Sequence, residues 1–124
     1  MIDKNEIKKN YKETARPLGI YRITNKANGK MFIGSSMNIP ARINRHKMEL
    51  RFNSDNIKEL QKDYQQFGEE NFVYDVVDLL EPKSDGEPDY KKELELLEEM
   101  WLEKLQPYDD KGYNLRGQKH YFKK

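Results

Sequence analysis

Two short segments of alternating apolar and polar residues, joined by turn chemistry, most constrain how this chain folds. Leu18 to Thr24 alternates in the manner of a half-buried strand, Asn28-Gly29 is typical of a turn, and Met31 to Gly34 reads as the return strand. Strands joined by so short a connection must pair antiparallel. The sequence therefore predicts a β-hairpin in its first third.

Helices and one further strand are predicted around this hairpin. Phe72 to Val77 is rich in β-branched and aromatic residues and centres a third strand over Asn71 to Leu80. Apolar spacing, caps and breakers predict helices over Asp3 to Thr14, from Asn38 or Pro40 to Leu50, from Ser54 or Asp55 to Gly68, and over Asp89 to Leu105. The last helix carries an apolar stripe made of Leu94, Leu97, Trp101 and Leu105. The predicted class is α+β, a small three-stranded antiparallel sheet flanked by helices.

The chain has 124 residues, which fit a single domain. We divide it into a basic helical extension over residues 1–17, a core domain over 18–115 and a basic tail over 116–124. Charged residues are distributed unevenly along the chain. Residues 1–53 hold 12 Lys/Arg and 4 Asp/Glu, residues 54–110 hold 6 and 18, and residues 111–124 hold 5 and 0. A basic face of this kind steers a polyanion, although charge runs also occur as merely solvated faces.

Several classes of protein are excluded by composition. The sequence has no cysteine, which excludes a disulfide scaffold, a thiolate zinc site and a cysteine nucleophile. No apolar run approaches the roughly 18 residues of a membrane span, and the first residues are polar and mixed in charge. We therefore expect a soluble, intracellular, cytoplasmic protein with no membrane partner.

Arg42 and His46 lie one helical turn apart, so that one anionic oxygen can meet both side chains. A guanidinium offers planar donors suited to phosphate, and an imidazole can donate a hydrogen bond or move a proton near neutral pH. The alternative is two exposed residues in a basic stretch. Arg45 and Lys47, off that helix face, are candidates for contacting the backbone of a long substrate.

Tyr21 lies in the first hairpin strand and Gly34 ends the second, so the glycine lets a backbone or a phosphate approach the phenol closely. A tyrosine becomes a useful base only if its ordinary pKa of about 10 is lowered. Nearby cations such as Lys30 or Arg42 can lower it. The alternative role for Tyr21 is a cross-strand aromatic in a small core.

Glu98 lies beside the apolar stripe of the last predicted helix. A carboxylate there is costly unless it is paired or bound to a metal. A single carboxylate, completed by waters and phosphate oxygens, suits Mg²⁺. The alternative is one more acid on the surface of an acidic helix.

These fragments resemble, in order and in spacing, the signatures of the GIY-YIG nuclease family over roughly residues 18–115. Gly19-Ile20-Tyr21 resembles the first signature and Phe32-Ile33-Gly34-Ser35-Ser36 the second. The remaining matches are Arg42 and His46, Glu98 before Trp101, and the closing motif Gly112-Tyr113-Asn114, whose asparagine supports the site.

The resemblance implies an endonuclease that hydrolyses DNA phosphodiester bonds with one Mg²⁺, for which Mn²⁺ can substitute. It implies that Tyr21 is the general base, that Arg42 stabilises the pentavalent phosphate, that His46 hydrogen-bonds near the nucleophile or phosphate, and that Glu98 holds the metal. Arg116 and Lys119 in the basic tail are candidates for further phosphate contacts. Phage or mobile-element biology, restriction and repair are all compatible contexts.

One residue departs from the family pattern. Phe32 stands where the second signature has a tyrosine, so the ring is kept and a hydroxyl is lost. Lys30, two residues earlier, is a candidate for placing positive charge near the phenols. The departure keeps open a DNA-binding or regulatory module with weakened catalysis. A protein-interaction domain that uses the acidic middle segment, and a homodimer for cutting both strands, also remain open.

Overall fold

The computed structural model describes residues 17–81 and 90–116. Its three strands are β1 (Leu18–Asn25), β2 (Met31–Ser36) and β3 (Phe72–Leu80), which form one antiparallel sheet in the order β2-β1-β3. Its helices are α1 (Ile39–Arg51), α2 (Lys58–Phe67) and α3 (Tyr90–Leu105), and two short 3-10 turns lie at Glu69–Asn71 and Asp109–Lys111. The predicted α+β class and the three-stranded sheet are confirmed.

Two of the predicted segments fall, wholly or largely, outside the described residues. They are the helix over Asp3 to Thr14 and the basic tail over residues 116–124. Within residues 17–81 and 90–116, no helix has the combined length and apolarity that crossing a membrane requires.

The helix boundaries follow from local hydrogen bonding. At the start of α1, the Asn38 side chain accepts a hydrogen bond from the Ala41 N–H at 3.3 Å, as its predicted capping role requires. The predicted start of α2 at Ser54 or Asp55 is wrong. The Asp55 carboxylate accepts from the Ile57 N–H at 2.9 Å, which holds the chain in a tight Asx-type turn, and α2 begins only at Lys58. Gly68 ends α2 with a φ of 90°, as expected.

The sheet separates two apolar cores. On one face, Tyr21, Ile23 and Phe32 pack with buried residues of α1 and α2. On the other face, Ile20 and Ile33 pack with Leu102 of α3. Successive strand residues point to opposite faces, so neighbours such as Ile20 and Tyr21 serve different cores. The predicted stripe of α3 is buried or half-buried along its length, at Leu94, Leu97, Trp101 and Leu105.

The outer edge of β2 is closed by the last described residues of the chain. The Asn114 side chain accepts a hydrogen bond from the Ile33 N–H at 2.9 Å and donates one to the Ile33 carbonyl at 2.8 Å. The Tyr113 N–H donates to the Met31 carbonyl at 2.9 Å, and the Tyr113 hydroxyl donates to Asp63 at 2.8 Å. Asn114 therefore pairs with the backbone of β2 as a further strand would.

Replacing Asn114 with alanine should destabilise the fold, because both polar backbone groups of the buried Ile33 lose their side-chain partner. We expect a loss of about 2–4 kcal/mol in the free energy of unfolding. Urea denaturation followed by circular dichroism measures it. Asn44→Ala, at an exposed position of α1, is the matched control and should change stability by less than about 0.5 kcal/mol. Equal effects of the two substitutions would contradict the role given to Asn114.

Candidate active site

Tyr21 lies in the middle strand with its whole side chain buried. Gly34 is its partner on β2, and a Cβ atom at that position would stand 2.6 Å from the Tyr21 hydroxyl oxygen. No side chain is tolerated at such a distance without a shift of the ring. Glycine is therefore needed at position 34 for the phenol to pass over the backbone of β2.

A line of three buried side chains runs from the Tyr21 hydroxyl into the protein. The hydroxyl oxygen lies 2.8 Å from Nε2 of His46, and Nδ1 of His46 lies 2.8 Å from Oδ2 of Asp55. His46 and Asp55 are both buried. The expectation that Arg42 and His46 share one phosphate oxygen is not met in this arrangement, because both ring nitrogens of His46 already have protein partners.

The proton positions in this line follow from what each group can donate. A carboxylate only accepts, so Nδ1 of His46 carries the hydrogen that points at Asp55. In the neutral imidazole, Nε2 is then the acceptor and the Tyr21 hydroxyl donates to it. The phenol therefore donates its hydrogen bond to Nε2 of His46. The positive charge of Arg42 is close enough to favour the ionised form of the same phenol.

Burial raises the pKa of Tyr21 to about 12, while the charge of Arg42 and its hydrogen bond oppose the rise. The negative charges of Glu98 and Asp55 push the pKa further upward. The pKa of Tyr21 is therefore raised overall, whereas a free phenolate base requires a lowered pKa. At pH 7 only about one Tyr21 in 10⁵ would be ionised.

Glu98 lies on α3 and is fully buried, with 0% of its surface exposed, whereas its neighbour Glu99 is exposed. The Ser35 hydroxyl, at the end of β2, donates a hydrogen bond to Oε1 of Glu98 at 2.8 Å. The alternative interpretation of Glu98 as a surface acid is therefore excluded. Its charge is also close enough to Tyr21 to affect the pKa of the phenol.

The Glu98 carboxylate has the chemistry of a ligand for a divalent cation. A fully buried negative charge gains most from a cation or from strong donors, and carboxylate oxygens are the hard ligands that Mg²⁺ prefers. The residues therefore fit such an ion. A hydrated ion reaches this carboxylate only when the side chains that cover it move, because the residue has no exposed surface.

A second set of ligand atoms lies on the far side of Tyr21. Nitrogen or oxygen atoms of His46, Glu49 and Asp55 lie within 4.8 Å of one another, close enough in position to hold a metal. These side chains already have partners. His46 is bound at both nitrogens, Asp55 accepts from His46 and Ile57, and Glu49 pairs with Arg45 at 3.1 Å. A metal there would have to break that network.

Phe32 packs at the centre of this cluster. It is fully buried, and its ring centroid lies 6.1 Å from that of Tyr21 and 5.8 Å from that of His46. The Phe32 ring thus packs against both Tyr21 and His46. A tyrosine at this position would add a buried hydroxyl that needs a partner.

The remaining predicted cations lie apart from the phenol. Lys30 lies over the ring of Tyr113, with 5.6 Å from Nζ to the centroid, and Lys47 lies 5.0 Å from the centroid of Tyr74. Arg45 is exposed on α1, and Arg116 pairs with Asp109 at 3.1 Å. Lys119 lies outside the described residues.

A family model described as the GIY-YIG catalytic domain matches residues 17–114. The chain belongs to the GIY-YIG family. Such a catalytic domain is a nuclease domain, so endonuclease activity follows for this chain. The match also extends over both signatures and the closing motif on which the resemblance was based.

Solved structures share the fold of this chain. One is the catalytic domain of the intron endonuclease I-TevI in a mutant form, with a TM-score of 0.68 and 22% identity over 84% of this chain and 98% of that one. Another is the catalytic domain of the homing endonuclease I-TevI, with a TM-score of 0.64 and 24% identity over 79% and 97% of the two chains. No curated protein matches the sequence.

Sequence reasoning missed two residues that contact the site. The sequence predicts Asp55 at the start of a helix, whereas its carboxylate contacts His46, nine residues earlier. Ser35 belongs to the second signature, and its partner Glu98 lies 63 residues away. The one available signal for Ser35 was strand alternation, which directs it to the α3 side of the sheet while Tyr21 lies on the other side.

The raised pKa of Tyr21 predicts a specific loss of stability in alkali. Above pH 10 the unfolded chain ionises this phenol, while the folded protein keeps its proton until about pH 12. The contribution of the Tyr21 phenol to the free energy of unfolding is fully present below pH 10. About 3 kcal/mol of it should be lost as the pH rises from about 10 to about 12. Urea denaturation across this range measures the loss.

Tyr21→Phe should lose less stability in the same range than the parent does. Burial also raises the pKa of Tyr74 to about 12 and that of Tyr113 further, so part of the alkaline loss should remain in this variant. Tyr90→Phe, at a half-buried position of α3, is the matched control. Identical alkaline profiles for the parent and Tyr21→Phe would show that the phenol is hydrated in the folded state.

Proposed function

We propose that this GIY-YIG domain is a Mg²⁺-dependent DNA endonuclease that hydrolyses phosphodiester bonds by a one-metal mechanism. The observation that carries the proposal is a buried phenol, Tyr21, that is hydrogen-bonded to His46 and whose pKa is affected by both the Arg42 guanidinium and the buried Glu98 carboxylate. These are the groups needed to take a proton from water, to neutralise a phosphorane and to hold a metal.

Glu98 is the proposed metal ligand, and Ser35 is proposed to hold its carboxylate in place. The Ser35 hydrogen bond fixes one carboxylate oxygen against β2. When bound, Mg²⁺ would supply positive charge to the phosphate and to the leaving oxygen, and Mn²⁺ is expected to substitute for it. A single protein carboxylate leaves coordination positions for water and for DNA oxygens.

Tyr21 is proposed to act as a general base through a proton relay. A phenol with a pKa of about 12 is not a sufficient base alone. In the relay, the Tyr21 oxygen takes a proton from the attacking water as the phenol hydrogen passes to Nε2 of His46. The water oxygen bonds to phosphorus, the bond from phosphorus to the leaving oxygen breaks, and Asp55 stabilises the imidazolium that results.

Arg42 is proposed to stabilise the negative charge that develops on the phosphate. Its guanidinium is close enough to Tyr21 to lower the pKa of the phenol, beside which the attacking water would lie. Donors fixed in place before the reaction contribute most where water is excluded, and the buried phenol marks such a place.

A second candidate function rests on Phe32. This residue lacks the hydroxyl of the second signature and is fully buried, so a slow enzyme or a DNA-binding module of the same fold is the competing proposal. A domain with one such site cuts one strand at a time, and a homodimer is one arrangement that would break both strands. Steep salt dependence of DNA binding without cutting under any divalent metal would favour the binding module.

Nicking of supercoiled plasmid with Mg²⁺ tests the proposed function. We expect Glu98→Gln and Arg42→Ala each to lower the rate by at least about 100-fold, because each removes charge stabilisation from the transition state. Glu99→Gln is the matched control, since it makes the same change one residue away on the exposed side of α3, and it should cut like the parent. Cutting that survives Glu98→Gln, or that needs no metal, would contradict the proposal.

Asp55→Asn tests the proton relay. An amide of the same shape no longer fixes the hydrogen on Nδ1 of His46, so we expect kcat to fall by about 10²- to 10⁴-fold with little change in the Kd for DNA. Single-turnover nicking and a binding titration separate these two quantities. A variant that binds and cuts like the parent would remove Asp55 from the mechanism and leave Tyr21 to act without it.

A further inference from the structure

The outward side of α1 carries two large apolar side chains in solvent. Met48 is 59% exposed and Phe52, the residue that ends the helix, is 75% exposed. Phe52 is the most exposed large apolar side chain among the described residues. The two lie one helical turn apart, so they form a single projecting patch.

This patch is bordered by cations. Arg45, Lys47 and Arg51 are all exposed. Glu49 is the one acid on α1, and it is paired with Arg45. Arg51 has a partner in Glu69 at 3.4 Å, but both side chains are mostly exposed, and such a pair contributes little. A polyanion can therefore displace Glu69 from Arg51.

Helical spacing places the patch between the two flanks of α1. The buried stripe consists of Ile39, His46 and Leu50. At 3.6 residues per turn, Arg42 and Arg45 lie to one side of that stripe, and Lys47 and Arg51 lie to the other. Met48 and Phe52 project opposite the stripe, between the two flanks. A ligand that crosses the outside of α1 therefore meets both pairs of cations and the patch.

The patch is close to the proposed active site. At 1.5 Å per residue, Phe52 lies about 15 Å along the helix axis from Arg42. DNA advances about 3.4 Å per base pair, so this distance corresponds to four or five base pairs.

We propose that Met48 and Phe52 form a wedge that enters DNA between two base pairs, about four or five base pairs from the cut, while Arg45, Lys47 and Arg51 bind the flanking phosphates. This inference rests on the proposed function and adds the kind of substrate the enzyme selects. Apolar side chains inserted at a base step unstack and kink the duplex. Pyrimidine–purine steps unstack most easily, so sites with such a step at that distance should be cut fastest.

DNA matches this surface better than a protein partner or a membrane does. The central parts of protein interfaces are depleted of charged residues, and here three cations border only two apolar side chains. A helix that lies on a membrane buries a long apolar face, whereas the inward stripe of α1 is already covered by the sheet.

Nick positions on plasmid are mapped first with the parent protein. Duplexes that contain a mapped site then carry 2-aminopurine at one position at a time, and the fluorescence of each is read with the full-length Glu98→Gln protein bound. We expect fluorescence to rise at one step about four or five base pairs from the nick. Adding Phe52→Ala should abolish the rise and weaken binding roughly 5- to 100-fold, the range for loss of one aromatic contact with bases.

Three further variants separate the wedge from plain charge attraction. Arg51→Ala should reduce the slope of log K against log salt by about 1, while Phe52→Ala should leave that slope unchanged. Phe52→Leu should restore part of the fluorescence rise. Val73→Ala, at an exposed apolar position of β3, is the matched control and should bind and distort DNA as the parent does.

The outcomes are distinguishable from failure of the proposed function. Plasmid nicking with no fluorescence rise at any step would overturn the wedge and leave the endonuclease intact. A Phe52→Ala variant that lost self-association in sedimentation, with DNA binding unchanged, would overturn it in favour of contact between two copies. Absence of both nicking and DNA binding in the parent would overturn the endonuclease and the wedge together.

Discussion

Burying the hydroxyl of Tyr21 is the constraint on which the rest of the site depends. A polar group removed from water must find partners in the protein or raise the free energy of the fold. The phenol donates to His46, His46 donates to Asp55, and Asp55 also accepts from the Ile57 N–H. The line of hydrogen bonds ends on backbone, so each group that burial removed from water is paired.

The same burial sets the chemistry of the phenol. It raises the pKa of Tyr21 and so removes the simplest role, that of a free phenolate. It also strengthens the influence of neighbouring charges, because their interaction is less screened away from water. The positive charge of Arg42 lowers the pKa of Tyr21, and the negative charge of Glu98 raises it. In the proposed mechanism, passing the phenol hydrogen to His46 allows the neutral phenol to accept a proton from water.

The hairpin, α1 and the stripe of α3 were predictable from sequence because their signals are local. Asn38 caps its own helix, Gly68 ends its own helix, and alternation is visible within one strand. The partners of the site residues were not predictable in this way. Whether the acid at position 55 caps a helix or binds His46 depends on the path of the backbone between α1 and α2. The contact between Ser35 and Glu98 requires α3 to dock on β2 first.

Local spacing also gave an incomplete account of His46. An i, i+4 pair shares a helix side, but it does not say which of the two residues faces the core. His46 belongs to the buried stripe with Ile39 and Leu50, whereas Arg42 lies at the edge of that stripe and is only half-buried. His46 therefore lies inside the protein, whereas Arg42 lies near its surface. Only the packing of α1 on the sheet decides that division.

Asn114 contributes to the site through backbone geometry alone. Its side chain fixes both polar groups of Ile33, and Ile33 lies between Phe32 and Gly34. Phe32 supports the rings of Tyr21 and His46, and Gly34 gives the phenol its space. A shift of β2 at Ile33 would displace both Phe32 and Gly34, because both residues belong to the same short strand. Asn114 thus supports the surroundings of the phenol indirectly, through hydrogen bonds to Ile33 that span 81 residues of sequence.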